Sequence, residues 1–385
     1  MRSPAQLLGP RNGVLKTGRR ERGLHVALVI SHLGQGGAER VICSLARRWA
    51  VGNEVSLLTV GSSAGDRYPL PPGVRRVALD LLRPSQNIAE GVLQASRRVV
   101  ALRRALDLLR PDLVVSFLER TNILALLATT GTGVPVFVCE RSDPRHDAIG
   151  RPWAALRRLL YPRAAGVVVQ TERVGAWARA FCPRVHVIPN FVERPMQVAK
   201  PGIEHGPRRL LGLGRLAPEK GFDLLVRAFA RVARSHPDWT LEILGEGKER
   251  AQLEALAGAL GVRDRVSMPG SVVHPLPRLA AAHAFALPSR YEGFPNALLE
   301  AMACGLPVVA FDCQSGPREI IVHEQDGLLV RPGDIAEMAL ALDRLMGNAA
   351  ERVRLGRNAT EVTVRFAPET VLQRWSALLT GEELP

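Results

Sequence analysis

The strongest constraint on the fold is a pattern of short apolar runs that alternate with helix-forming segments, and one series of this kind occurs in each half of the chain. Runs such as 25–30 in the first half and 284–287 in the second half are apolar at nearly every position. That pattern is typical of strands buried on both faces of a parallel sheet. The intervening segments have the length and composition of crossover helices. The chain is therefore predicted to be an α/β protein with two doubly wound parallel sheets and a cleft between them.

A segment without helical or strand periodicity separates the two series. It is rich in proline, glycine and charged residues, which is typical of a linker. The amino terminus also lacks periodicity and has no apolar core of a signal peptide, so a disordered tail is expected there. We therefore predict a tail (1–24), an N-terminal domain (25–190), a linker (191–207), a C-terminal domain (208–366) and a final helix that packs back on the N-terminal domain (367–385).

The charge is distributed unevenly between the two halves. The net charge is +14, of which residues 1–200 carry +16 and the remainder −2. A basic half favours anionic partners such as a phospholipid surface or a phosphorylated acceptor. The basic, amphipathic segment 152–163 (PWAALRRLLYPR) is a candidate for contact with an anionic membrane. The alternatives are an ordinary surface helix and a general drift of composition, because 47 of the 51 basic residues are arginine.

Composition also argues against several other classes of protein. No apolar run reaches the roughly 18 residues that a membrane-spanning helix needs. The five cysteines show no C-x-x-C spacing, so we expect reduced, mostly buried thiols and neither a disulfide framework nor a zinc site. Aromatic residues make up 5% of the chain and do not interleave with the arginines, which argues against a nucleic-acid partner.

The stretch 288–305 carries the clearest functional pattern. An apolar strand precedes it, Gly293 and Pro295 interrupt it, and strong helix formers follow up to Gly305. We expect Pro295 at the first helical position, where its missing N–H group costs nothing. The free backbone donors around Gly293, Phe294 and Asn296 then form a site for an anion.

Two carboxylates flank this predicted anion site. Glu292 precedes the helix, and Glu300 lies roughly 6 Å along the helix axis from Asn296 at 1.5 Å per residue. Acids beside an anion site are unfavourable unless they accept hydrogen bonds from hydroxyl groups. A nucleotide sugar offers this combination, because it carries a diphosphate, a ribose diol and a hexose.

A second glycine-containing turn adds positive charge. Gly214-Arg215-Leu216 and Glu219-Lys220-Gly221 follow a predicted strand. Arg215 has the fork geometry that grips phosphate, and Lys220 adds a mobile point charge. The simpler alternative is a solvated loop.

Taken together, these segments resemble the family 4 retaining glycosyltransferases of the GT-B fold. The resemblance covers residues 25–380 and rests on three motifs in order: the first-loop sequence Gly36-Gly37-Ala38-Glu39-Arg40, the Arg215/Lys220 turn, and the Glu292…Glu300 pair with seven residues between. Residues 289–300 and 316–321 look most like bacterial polysaccharide and glycan enzymes that often transfer N-acetylgalactosamine or a related hexose from UDP.

The resemblance implies a role for each motif residue. Arg215 and Lys220 would hold the donor diphosphate, and Glu292 would meet the hydroxyls of the transferred sugar, so these three form the expected catalytic set. Glu300 would accept the ribose hydroxyls. The remaining expected donor-binding residues are Gly36, Gly37, Gly214, Gly293, Phe294, Asn296 and Leu299. Such enzymes need no metal, and the chain has no D-x-D pair placed for Mg²⁺, so no cofactor is expected.

The sequence departs from the family in its first domain. Many members carry a histidine after the fourth strand, near the donor sugar, whereas this chain has Leu118-Glu119-Arg120 there. Its role could pass to Asn122, to Glu119 or to the loop of Glu140 and Arg141. We expect Glu140, Arg141 and Asn122 on the acceptor side. His32, beside the glycine loop, is a candidate substitute for the missing histidine, and the alternative is a loop histidine without a role.

The expected function is transfer of a hexose or N-acetylhexosamine, with retention, from a UDP-sugar to a lipid-linked or growing glycan acceptor. The protein would be cytoplasmic, with a peripheral position on the inner face of the plasma membrane. Two alternatives remain: a sugar-nucleotide epimerase of the same fold, and a non-catalytic nucleotide-sugar binder.

Overall fold

The computed structural model describes residues 23–34, 36–146, 149–202 and 207–381. Most of the predicted tail lies outside these residues. The N-terminal domain is built on a seven-stranded sheet with the strand order β3-β2-β1-β4-β5-β6-β7, in which all neighbours are parallel. Its strands are β1 (His25–Ile30), β2 (Glu54–Thr59), β3 (Val74–Ala78), β4 (Leu113–Phe117), β5 (Val136–Cys139), β6 (Gly166–Val169) and β7 (Val185–Val187).

The C-terminal domain is built on a six-stranded sheet with the order β10-β9-β8-β11-β12-β13, again all parallel. Its strands are β8 (Arg208–Leu213), β9 (Trp239–Leu244), β10 (Val266–Gly270), β11 (Ala284–Leu287), β12 (Val308–Phe311) and β13 (Leu328–Val330). The prediction of two doubly wound parallel sheets is confirmed.

Helices cover both faces of each sheet. Those of the first domain are α1 (Gly37–Trp49), α2 (Ile88–Leu109), α3 (Glu119–Ala128), α4 (Arg151–Leu160) and α5 (Glu172–Arg179). Those of the second domain are α6 (Phe222–Val232), α7 (Arg250–Ala259), α8 (Leu276–Ala280), α9 (Asn296–Ala303), α10 (Pro317–Ile320), α11 (Ile335–Gly347), α12 (Ala349–Ala359) and α13 (Val362–Arg365). The chain ends in α14 (Pro368–Thr380).

The last helix belongs spatially to the first domain. Residues Val371, Trp375, Leu378 and Leu379 of α14 join the apolar cluster formed by β1, β4 and α1. The indole rings of Trp375 and Trp49 meet edge to face with centroids 5.6 Å apart. This crossing ties the two domains together beyond the linker.

Two helices were missed from the sequence, α12 and α13. In α12 the stripe that faces the core includes Arg352, which is fully buried and lies 5.4 Å above the ring of Trp239. Its guanidinium donates to the carbonyls of Leu345 and Met346. A buried arginine at a core position conceals the apolar periodicity on which a helix prediction depends.

The five cysteines, Cys43, Cys139, Cys182, Cys304 and Cys313, are buried free thiols, as expected. Burial raises the pKa of the Cys139 thiol to about 12, which keeps it protonated at neutral pH. Within the described residues, no helix is long and apolar enough to cross a membrane.

Candidate active site

The helix α9 begins at the carboxyl edge of the second sheet, where β11 ends. Pro295 is its N-cap residue and not its first helical residue, so the expected position was wrong by one residue. Among the described residues, no side chain caps this helix end. Its first backbone amides are therefore available to an external acceptor, and the helix dipole favours an anion there.

Tight backbone contact shapes the loop before α9. Gly316 has φ +99°, and a Cβ there would lie 2.7 Å from Cδ of Pro295. A Cβ on Gly293 would lie 2.6 Å from the carbonyl oxygen of Arg141, which belongs to the other domain. The two domains therefore meet at this loop so closely that only glycine fits at Gly293.

Glu292 and Lys220 form an ion pair at the base of the cleft. Nζ of Lys220 lies 2.7 Å from Oε1 of Glu292, and Oγ of Ser289 donates to the same oxygen at 2.6 Å. Glu292 is 8% exposed. The sequence had assigned these two side chains to separate parts of the substrate, whereas here they are direct partners.

The turn that carries Lys220 is packed against the loop of Glu292. It is a 3₁₀ turn (Pro218–Lys220) that ends at Gly221, whose φ is +64°. A Cβ on Gly221 would lie 2.1 Å from the carbonyl oxygen of Pro288. Arg290 closes the same contact by pairing with Asp223 at 2.8 Å. The position of Lys220 is thus set by backbone packing.

Arg215 lies at the solvent side of this turn. Its side chain is 72% exposed, and its guanidinium lies 2.9 Å from Oε1 of Glu219. Gly214 serves as a point of close approach, because a Cβ on Gly245 would lie 1.8 Å from the Gly214 carbonyl oxygen. Of the two cations predicted from this turn, Lys220 pairs with Glu292 in the loop before α9, whereas Arg215 pairs with Glu219 of its own turn.

Glu300 contacts the other domain. Its carboxylate pairs with the guanidinium of Arg40 on α1. The second oxygen, Oε2, is buried and has no hydrogen-bond partner among the described residues. Gly37, at the start of α1, is close enough to Asn296 that a Cβ there would lie 2.8 Å from Nδ2.

The first glycine loop therefore covers the start of α9. Beside it, a Cβ on Gly36 would lie 2.1 Å from Oε2 of Glu39. Glu39 is buried, and its Oε1 lies 3.3 Å from Nε2 of His32. His32 thus lies next to the glycine loop and partners the motif glutamate of that loop.

Further contacts close the cleft. Asn190 Nδ2 donates to Oδ1 of Asn296 at 2.5 Å, and Thr171 Oγ1 lies 3.0 Å from Oγ of Ser315. The ring of His146 stacks on Tyr291 with centroids 5.1 Å apart. The structure is therefore a closed arrangement, with the two domains joined by polar side chains.

Two of the expected acceptor-side residues lie elsewhere. Glu140 is 2% exposed, and its Oε1 accepts from the hydroxyl of Tyr161 at 2.6 Å. Asn122 is fully buried and donates to the same hydroxyl and to the carbonyl of Cys139, both at 3.0 Å. These side chains lie not at the cleft but inside the N-terminal domain, where both are hydrogen-bonded to the hydroxyl of Tyr161.

Among the expected donor-binding residues, two side chains point into the core. Leu299 is 1% exposed and belongs to the apolar cluster around β11 and β12. Phe294 is 7% exposed and meets Phe366 edge to face at 5.7 Å. Only their backbone groups are available to a ligand, because the side chains anchor α9 to the sheet.

We expect removal of the Tyr161 hydroxyl to test this internal network. Burial raises the pKa of Tyr161 well above its usual range, so the phenol stays a hydrogen-bond donor to Glu140. Tyr161→Phe leaves a buried carboxylate with one partner fewer and should lower the free energy of unfolding by about 1–3 kcal/mol. Urea denaturation measures this change. If the unfolding midpoint is unchanged and the KM for the acceptor is raised, the internal network is not what Glu140 serves, and Glu140 contributes to acceptor binding instead.

Sequence reasoning gave no role to Arg40 or Asn190. Arg40 lies in a motif that was recognised, one turn after Gly36, so the helical repeat could have placed it at the cleft. Asn190 lies shortly after β7, at the last residue of the predicted N-terminal domain, and has no comparable signal. In the described part of the chain no group of three or more acidic, cysteine or histidine side chains could hold a metal ion.

Comparison with known proteins identifies the family. The model for glycosyl transferase 4-like domains matches residues 36–190, and the model for glycosyl transferases group 1 matches residues 193–362. The two matches together take in both halves of the closed cleft.

Two relatives match different shares of the chain. A Streptomyces coelicolor protein named exopolysaccharide phosphotransferase is 37% identical over 286 residues, which are 73% of this chain and 30% of that protein. The chain therefore spans less than a third of that relative. A Campylobacter jejuni enzyme is 26% identical over 360 residues, 92% of this chain and 98% of that protein. Its name is GalNAc-alpha-(1->4)-GalNAc-alpha-(1->3)-diNAcBac-PP-undecaprenol alpha-1,4-N-acetyl-D-galactosaminyltransferase.

The fold has close counterparts among solved structures. Anabaena HepE in complex with UDP-glucose superposes with a TM-score of 0.76 at 20% identity, covering 93% of this chain and 100% of that one. Two matched domain models, the parallel sheets and the motif residues on both sides of one cleft lead to the same conclusion. The chain belongs to the family 4 glycosyltransferases of the GT-B fold.

Proposed function

We propose that the protein transfers a hexose or N-acetylhexosamine from a UDP-sugar to a lipid-linked or growing glycan acceptor, with retention of anomeric configuration. The observation that carries this proposal is an unused hydrogen-bond acceptor on Glu300. Its Oε2 is buried at the cleft without a hydrogen-bond partner in the described structure. A ribose hydroxyl supplies the donor that this oxygen lacks, and hydrogen bonds to a charged group are the strong ones.

The charges around α9 fit the rest of the donor. Two sources of positive charge are close together: the start of α9, and Lys220, which pairs with Glu292 in the loop before that helix. Positive charge at this point stabilises a leaving diphosphate without the help of a metal. Glu292, held by Lys220 and Ser289, lies beside the same position and is available to the hydroxyls of the transferred sugar.

The named relatives support the choice of substrates. The Campylobacter enzyme is named for a diphospho-undecaprenol acceptor, and HepE was solved with UDP-glucose. We therefore extend a UDP-sugar donor and a lipid-linked glycan acceptor to this chain.

Release of UDP tests the proposal. The protein is incubated with a panel of UDP- and GDP-sugars and a diphospho-polyprenol glycan acceptor, with and without EDTA. We expect acceptor-dependent release of UDP that EDTA does not reduce. The anomeric configuration of the new linkage, determined by NMR, should be the same as that of the donor sugar. If no nucleotide sugar is consumed, the transferase proposal is wrong. If the sugar is interconverted without an acceptor, the protein is an epimerase.

An anionic membrane is the proposed surface on which the acceptor is presented, at the inner face of the plasma membrane. On the outer face of α2, Val92, Leu93 and Val100 are exposed, beside Arg97 and Arg104. Apolar side chains flanked by arginine suit an anionic lipid surface.

The segment expected from the sequence contributes less to this surface. In α4 and the turn after it, all of which the structure describes, Arg157 and Tyr161 are buried, and Leu159, beside Arg158, is the one large apolar side chain that is exposed. Because α2 contacts α3 and α3 contacts α4, these outward residues lie on the same side of the sheet as the exposed face of α2.

Vesicle binding tests the surface. Val92→Ser with Leu93→Ser should lower partitioning onto phosphatidylglycerol-containing vesicles about tenfold or more, because two apolar side chains no longer enter the lipid. Leu340→Ser is the matched control, since this leucine is 70% exposed on the C-terminal domain. Equal partitioning of the double variant and the wild type onto those vesicles would refute the membrane contact through α2.

A further inference from the structure

Arg141 has hydrogen-bonding capacity that the protein does not use. It follows β5 in the N-terminal domain, and its guanidinium lies 4.2 Å above the ring of Phe117. Its Nη1 donates to Oδ1 of Asn190 at 3.3 Å. The other two nitrogens, Nε and Nη2, are buried and have no hydrogen-bond partner in the described structure.

The charge of Arg141 is also uncompensated. The carboxylates next to it in sequence are directed elsewhere: Glu140 accepts from Tyr161, and Asp143 pairs with Arg145. Among the residues that the structure describes, none places a carboxylate within salt-bridge distance of this guanidinium. Burial lowers the pKa of Arg141 to about 10, so the group remains a cation at neutral pH. A buried cation of this kind is unfavourable unless an anion joins it.

The unused donors have the geometry of a phosphate ligand. Nε and Nη2 form one edge of the guanidinium plane, which presents two parallel N–H groups. This edge binds the oxygens of a carboxylate or a phosphate in the bidentate mode. The contact with the Phe117 ring and the hydrogen bond to Asn190 restrain the guanidinium before a ligand arrives.

Arg141 lies next to the start of α9. Asn190, which accepts from Arg141, donates to Asn296 at the first position of that helix. The backbone of Arg141 also packs against Gly293. A guanidinium from one domain and a helix N-terminus from the other are thus brought to the same part of the cleft, and both favour an anion.

We propose that Arg141 binds a phosphate group of the substrate through its Nε–Nη2 edge, opposite the start of α9, when the domains are closed. This inference rests on the proposed function and names a binding residue for it in the N-terminal domain. The donor diphosphate is the expected source of the phosphate, because it is the group that the start of α9 faces. The diphosphate of a lipid-linked acceptor is the second source, and the two are separated by experiment.

The experiment compares dissociation constants measured by calorimetry for UDP, UMP and inorganic pyrophosphate. The proteins are the wild type, Arg141→Met, Arg141→Lys and the matched control Arg75→Ala, an exposed arginine of the same domain. Methionine keeps the packing on Phe117, and circular dichroism melts verify that each variant is folded. We expect Arg141→Met to weaken UDP and pyrophosphate at least about tenfold and UMP much less, with partial recovery in Arg141→Lys.

The outcomes distinguish the two proposals. Unchanged binding of UDP with a raised KM for a diphosphate-linked acceptor assigns the phosphate to the acceptor and still supports a phosphate-binding Arg141. Unchanged constants for UDP, pyrophosphate and acceptor overturn it. If the wild type binds pyrophosphate but no nucleotide, the proposed donor is wrong. The role of Arg141 then depends on whether Arg141→Met raises the dissociation constant for pyrophosphate.

Discussion

Glu300→Ala is expected to lower kcat/KM for the nucleotide sugar by about 10²–10⁴-fold. Within the described structure, the carboxylate has one buried oxygen without a hydrogen-bond partner and one that pairs with Arg40. Two hydrogen bonds from ribose hydroxyls to a charged acceptor contribute about 3–6 kcal/mol, which corresponds to that range of rates. Steady-state UDP release measures the loss, and calorimetry should show a matching loss of UDP affinity.

The same substitution should leave the fold intact. Arg40 loses its partner, but its side chain is 34% exposed and can turn toward water. The change in unfolding free energy is therefore expected to be about 1 kcal/mol or less. Glu361→Ala, an exposed glutamate of the same domain, is the matched control. A Glu300→Ala protein that unfolds, or that retains full affinity for UDP, would show that Glu300 is structural.

Lys220→Ala is expected to have the second large effect, a fall in kcat of about 10²–10³-fold. The ammonium lies 2.7 Å from Oε1 of Glu292, in the loop before α9. In the proposed mechanism, the leaving diphosphate gains negative charge at this point. Loss of one preorganised positive group next to developing charge has an effect of this size. Single-turnover kinetics at saturating donor would separate this effect on kcat from an effect on binding. Lys200→Ala is the control, because Lys200 is exposed in the linker.

A double variant separates catalysis from stability at this pair. Lys220→Ala leaves the carboxylate of Glu292, which is 8% exposed, with Ser289 as its remaining hydrogen-bond donor among the contacts described above. The single variant should lose about 1–3 kcal/mol of stability, and Lys220→Ala with Glu292→Gln should recover most of it, because the uncompensated charge is removed. Activity should not recover. Recovery of both would mean that Lys220 acts only as the counterion of Glu292.

The fold was largely predictable because buried parallel strands are short apolar runs, which can be recognised from composition. Runs such as His25–Ile30 and Val308–Phe311 were located to the residue, since each is buried on both faces and apolar at nearly every position. Prediction failed where a polar residue occupies a core position. In α12 the guanidinium of Arg352 donates to backbone carbonyls inside the domain. No pattern in the neighbouring sequence predicts that this arginine is buried.

The site was only partly predictable for a related reason. The loops at the carboxyl edges of the strands were expected to carry the functional residues, because parallel sheets place their ligands there. Which way each side chain turns depends on neighbours that are distant in sequence. Glu140 and Arg141 are adjacent, yet Glu140 turns to Tyr161 inside the domain and Arg141 toward Asn190 at the cleft.

The sequence by itself determined the two parallel sheets, the order of the motifs and the placement of Glu292 and Glu300 around the start of one helix. These follow from local properties, namely apolar runs, glycine turns and the spacing of two acids around one helix end. The tertiary structure alone decided the partners, pairing Glu300 with Arg40 and Lys220 with Glu292, and leaving the Nε–Nη2 edge of Arg141 open. The physical reason is that a charge is compensated by whatever lies within a few ångströms, and here the closure of two domains brings those groups together.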